Sequence, residues 1–260
     1  MTTLMPAIFF GHGNPMNAVT PTPYSQAWAA IGQSMVHPKA ILAISAHWYF
    51  PATAVTSNTT PPTIHDFGAF PPELFQVQYP APGSLDLAHQ VKQLLDPVAV
   101  KLDESWGLDH GIWSVLCHVF PEADIPVVQL SIDRTQPPAF HYQLAQRLAS
   151  LRAEGILIMG SGNVVHNLRA YAWGQPTVPP LDWALRFEQQ VREAVLRGDM
   201  DPLIEYESLG PDAALSIPTP EHYLPLLYVM AQRQAGDPVS FPVEGIEGGS
   251  ISMLSVQVGG

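Results

Sequence analysis

Gly155-Ile-Leu-Ile-Met-Gly-Ser-Gly-Asn-Val-Val-His166 is the stretch whose reading decides the fold. Its first half is short, β-branched and apolar, with glycines at either end, which predicts a strand buried on both faces. Its second half turns through Gly160-Ser-Gly-Asn and presents a histidine just beyond the strand's carboxyl end. In open α/β sheets that edge is where ligands bind. The same grammar occurs twice more, in Ile8-Phe-Phe-Gly-His12 and Ala40-Ile-Leu-Ala-Ile-Ser-Ala-His47. Three strand-end histidines point to one shared site.

Working outward, strand patterns alternate with helical ones, which predicts an α/β fold: a single three-layer αβα domain over residues 1–260 with a mainly parallel, mixed central sheet. Helices are expected over 24–33, 84–95, 112–120, 138–152 and 181–197. Further strands are expected over 98–102, 125–132 and 250–258, with Pro126 confining the second of these to an edge or itself standing in the strand's first residues. A last helix is expected from Pro218, with Glu221 and His222 in its first turn. Between Pro51 and Pro82 the chain is rich in proline and aromatics and supports no helix. That reads as an ordered lid or pocket wall.

Composition removes several classes. With 23 acidic against 11 basic residues the net charge is −12, which repels phosphate backbones and anionic membranes. No apolar run reaches the length of a membrane span, and Met1-Thr-Thr-Leu lacks the basic and apolar regions of a signal peptide. The one cysteine, Cys117, excludes an internal disulfide and reads as core filler. The expectation is a cytoplasmic protein without nucleic-acid or membrane partners, either a monomer or a small homo-oligomer.

Ten histidines remain to be explained. His37, His89, His118 and His141 stand on helices or loops in unremarkable company. His12, His47, His65, His110, His166 and His222 each stand in a turn or at an element's end beside glycine, proline or acid, where sites are built. Imidazole is both a common metal ligand and a proton-transfer group near neutral pH. Spacing alone leaves open whether the six converge. A nucleophile elbow, a phosphate loop and a dinucleotide fingerprint are all absent.

Six motifs taken together carry a resemblance: Gly11-His-Gly-Asn-Pro15, Ser45-Ala-His-Trp48, Pro61-Pro-Thr-Ile-His-Asp-Phe-Gly68, Asp109-His-Gly111, Gly160-Ser-Gly-Asn-Val-Val-His-Asn-Leu168 and Pro218-Thr-Pro-Glu-His-Tyr-Leu-Pro225. They resemble the class III extradiol ring-cleavage dioxygenases, in the branch that acts on DOPA. The resemblance implies a non-haem Fe2+ enzyme that opens a catechol ring with O2, with L-DOPA going to a 4,5-cleaved semialdehyde. It implies His12, His47 and His222 as metal ligands, with Glu221 as the competing third ligand. His166 would be the acid-base residue or a fourth ligand, and His110 its catalytic partner. His65, Asp66 and Phe67 would hold the substrate. An all-histidine set would suit Zn2+ as readily, so a zinc hydrolase and a non-catalytic metal- or catechol-binding protein are the alternatives.

Overall fold

The structure, a computed structural model, describes residues 4–260, so the reading of a leaderless start at Met1 lies outside the described residues. Six strands form the central sheet: β1 (Ala7–Gly11), β2 (Ala40–Ser45), β3 (Val127–Gln129), β4 (Ile156–Gly162), β5 (Val239–Val243) and β6 (Ser255–Val258). Their order is β3-β2-β4-β1-β6-β5. The first four are mutually parallel, while β6 runs antiparallel to both β1 and β5. The mixed, mainly parallel α/β architecture expected from the pattern is therefore present.

Strand alternation divides the interior into two apolar clusters, one on each face. Ile8, Phe10, Ile41, Ala43, Leu157 and Met159 face helices α1 (Pro23–Ser34) and α3 (His110–Val119). Ala7, Phe9, Leu42, Ile44, Ile156 and Ile158 face α2 (Leu85–Leu94), α4 (Pro138–Gln146), α5 (Asp182–Arg197) and α6 (Leu224–Met230). Phe9 and Phe10 are both fully buried, each contributing about 1.5–3 kcal/mol by removal from water.

What matters for the site is where the central strands stop. Gly11 pairs with Gly162, and Ser45 with Ser161, so β1, β2 and β4 end at one level. The amide of His12 donates to the Gly162 carbonyl, and that of Ala46 to the Ser161 carbonyl, both at 3.0 Å. The chain therefore leaves three strands with fixed direction.

Several boundaries differ from the sequence reading. The run 125–132 is two strands: β3 takes Val127–Gln129, and Ile132–Asp133 pairs with Tyr49–Phe50, the chain changing sheets at Leu130-Ser131. β3 is an edge strand, and Pro126 immediately precedes it. The helix expected over 112–120 begins at His110, with Asp109 at the N-cap position. Glu221 and His222 lie in the turn before α6, whose first residue is Leu224. The 51–82 excursion is held by strand pairing of Ala54–Thr56 with Lys101–Asp103 and carries one short 3-10 turn, Leu74–Gln76. The expected C-terminal strand is interrupted at Met253-Leu254, and only Gln257 of β6 is less than buried. Among the described residues no helix is long and apolar enough to cross a membrane.

Candidate metal centre and catechol pocket

At the carboxyl ends of β1, β2 and β4 lies a cavity of about 320 Å³ lined by His12, His47, His110, His166 and His222, together with Asp66, Phe67 and Phe70. Of the residues singled out in the sequence, His65 and Glu221 are missing from this lining, and His65 lies behind the wall. Its Nε2 faces the Val77 carbonyl at 3.0 Å and its ring packs on Trp113, so it stiffens the wall from behind. That departs from the substrate-holding place expected for it.

Three imidazoles form the centre. One ring nitrogen from each of His12, His47 and His222 lies within 4.8 Å of the others. His12 Nε2 and His47 Nε2 are 3.2 Å apart. The partners of the opposite nitrogens assign the tautomers. Ser161 donates its hydroxyl hydrogen to the Gly111 carbonyl, so towards His12 Nδ1, at 3.0 Å, it can only accept. His47 Nδ1 donates to the Asp66 carboxylate at 3.2 Å, and His222 Nδ1 to Glu221 at 3.2 Å. Each Nε2 is thereby left to offer its lone pair to the same small volume. That is the arrangement in which an acceptor behind each histidine orients it towards a cation, so the donor set fits a metal ion.

Electrostatics agree. Burial, followed by neighbouring imidazoles, drives the His12 and His222 pKa values well below the ordinary histidine value, so both are neutral at pH 7, the state in which an imidazole can ligate a metal. Burial also pulls on His47, but the Asp66 hydrogen bond and the Asp109, Asp66 and Glu221 charges outweigh it and raise its pKa. In the metal-free chain a protonated His47 can donate Nε2–H to His12. A cation replaces that proton, so metal binding releases it.

His166 stands beside this trio, its ring stacked on His222 at 3.5 Å and 4°. Burial lowers its pKa to about 4, keeping it neutral. Glu221 accepts from Thr219 Oγ1 and His222 Nδ1, which places it behind His222 and outside the trio.

Asp66 holds more than was expected of it. Its Oδ2 accepts from His47, while its Oδ1 accepts from both the ring Nδ1 of His110, at 3.0 Å, and the His110 amide, at 2.9 Å. One carboxylate thus fixes two imidazoles and the first turn of α3. Burial opposes its charge, but the two histidine hydrogen bonds hold its pKa well below the usual carboxylate range.

The sequence reading missed the layer beneath. Asp109 is fully buried, accepts from Ser45 Oγ at 2.6 Å and from Gln129 Nε2 at 2.9 Å, and has its pKa pushed up by burial. Its signal was a serine or glutamine closing an otherwise apolar strand, at Ser45, Gln129 and Ser161. Close approach explains two glycines. A Cβ on Gly162 would stand 2.0 Å from the His222 carbonyl oxygen, and one on Gly111 2.9 Å from His47 Cδ2. The far wall, with Leu168, Tyr171 and Trp173, was also missed.

Fold and site define an α/β protein of the class that gathers strand-end histidines into one candidate metal centre beneath an aromatic pocket. The family described as catalytic LigB subunit of aromatic ring-opening dioxygenase matches residues 10–240. The chain is similar to the 4,5-DOPA dioxygenase extradiol of Escherichia coli K12, at 49% identity over 99% of this chain and 96% of that one. It is also similar to that of Beta vulgaris, at 38% identity over 85% and 84%. The crystal structure of an uncharacterized protein from Escherichia coli K12 superposes with a TM-score of 0.86, 44% identical, covering 98% of this chain and 100% of the other. The chain belongs to the LigB family and is an extradiol ring-cleavage dioxygenase.

Proposed function

We propose that the whole chain acts as one catalytic unit that opens the ring of a catechol, L-DOPA or a close relative, by 4,5-cleavage with O2, and that His12, His47 and His222 hold Fe2+ through Nε2. The observation carrying this is the convergence of three imidazoles with assigned tautomers on one side of a cavity that two further imidazoles share. Fe2+ there would supply an electron-relaying Lewis acid, which Zn2+ cannot because it has no accessible redox change.

The chain's own groups handle the protons. His166, neutral at pH 7, takes a proton from one catechol hydroxyl at a ring nitrogen. His110, with Nδ1 engaged by Asp66, offers its Nε2 lone pair to the second catechol hydroxyl, accepts that proton, and later returns it to the leaving oxygen as the ring expands. Each positioned group supplies roughly a hundredfold or more. Phe67 and Phe70, whose rings meet edge to face at 5.3 Å, give the catechol an apolar seat and limit water. A ferrous ion and a lone, half-buried Cys117 suit a reducing compartment, which supports a cytoplasmic setting.

Anaerobic loading with Fe2+, followed by L-DOPA and air, should consume one O2 per catechol and give a yellow semialdehyde. No uptake across a panel of catechols would reject the reading. One feature favours a second: the trio contains no carboxylate, a donor set that also suits Zn2+. Oxygen-independent ester or amide turnover by the zinc-loaded chain would support a hydrolase on this scaffold.

A further inference from the structure

Beside the histidine cavity lies a more open groove of about 610 Å³. Asn14 and Tyr171 line both, so the two spaces share one rim. The charged residues along the groove are Glu244 and Glu247. Glu244 is paired with Arg192 at 2.9 Å. Glu247 forms no ion pair among the described residues, although it is only 6% exposed. Its Oε1 accepts from Tyr171 at 2.7 Å, and its Oε2 is buried without a hydrogen-bond partner. A buried carboxylate oxygen left unmatched is costly until a donor reaches it. Burial pushes the Glu247 pKa up, and nearby Tyr171, Asn17 and the Asn14 amide offset this only in part.

We propose that Glu247 reads the substrate's side chain: with the ring in the histidine cavity, a primary ammonium on a flexible side chain crosses the Asn14–Tyr171 rim and docks on the Glu247 carboxylate. The substrate class is then catechols bearing an alkylammonium. This rests on the catechol reading above and narrows it. The groove's lining holds no Lys or Arg to repel such a group. A hydrogen bond to a charged partner contributes about 1.5–3 kcal/mol, which is about tenfold or more in affinity.

The test has two arms on the full-length chain. In the binding arm, phenethylamine should bind the wild type about tenfold or more tightly than 3-phenylpropionate, and Glu247→Gln should erase that preference. Equal affinity of the two probes for the wild type overturns the proposal and requires no variant. In the turnover arm, the kcat/KM ratio of dopamine to 4-methylcatechol should fall about tenfold in Glu247→Gln. An equal loss on both substrates would make Glu247 only a strut behind Tyr171 and would also overturn it. If the wild type opens neither catechol, the ring-opening reading falls, and the binding arm still decides on the ammonium site.

Discussion

The cavity has two halves built in different ways. One is formed by strand ends: His12, Ser161 and His47 follow or close parallel strands whose last residues pair in register. The other is formed by loops: Asp66, Phe67 and Phe70 come from the proline-rich excursion, and Tyr171 and Trp173 from the segment beyond His166. Trp173, at 61% exposed, contrasts with His12 at 2%. The difference teaches that two of the three candidate ligands, His12 and His47, stand where backbone ladders permit little freedom, while His222 and the aromatic wall come from turns and loops, which can vary with little cost to the sheet.

Asp66 is the point where the halves meet, so the sharpest ways to break the comparison lie on either side of it. The largest effect is expected from His222→Ala. Structural metal sites hold about 10–16 kcal/mol over four ligands, so losing one ligand should weaken the ion by more than about a hundredfold. Calorimetric metal titration would show it, and unchanged affinity would remove His222 from the centre.

The scaffold should fail in acid independently of the loops. His141 is buried against the Tyr228 hydroxyl at 2.8 Å, and burial lowers its pKa to about 4. Between the unfolded value near 6.5 and about 4 the unfolded chain binds more protons. Stability is therefore complete above pH 6.5 and is lost as pH falls towards 4, by about 3 kcal/mol from this group. Melting curves of metal-free wild type and His141→Gln should converge in that window. A gap that is independent of pH would contradict the assignment.

Asp66→Asn tests the junction. It leaves a hydrogen-bonding group of the same shape but removes the charge that holds two imidazoles, and the expected cost is about 10–100-fold in metal affinity or turnover. An effect confined to KM would mean that Asp66 belongs to the substrate half alone. The smallest change is expected from Phe70→Ala, worth about 1 kcal/mol of aromatic contact. It should raise KM several-fold and leave metal affinity untouched.

How much was legible in the sequence follows the same division. A buried strand followed by a glycine turn and histidine is a local pattern, so His12, His47 and His166 could be placed at one sheet edge before any coordinates. The excursion carried no periodicity, and nothing local distinguishes Asp66, which spans two histidines, from His65, which turns to the Val77 carbonyl. Asp109 stands at the N-cap position of α3, yet its side chain makes no capping bond and instead reaches Ser45 and Gln129, 64 and 20 residues away. The switch of sheets at Leu130-Ser131 was equally invisible, because Ile132 continues the apolar run while its partner strand, Tyr49–Phe50, lies far away in the chain.

Among the described residues, three groups of side chains could in principle seat an ion: His12–His47–His222, His47–Asp66–His110 and His166–Glu221–His222. Anomalous diffraction at the iron edge, on crystals of the chain loaded with Fe2+ under anaerobic conditions, separates them. One peak bonded to the Nε2 atoms of His12, His47 and His222 is the predicted result. A peak seated in either of the other two groups would contradict the account.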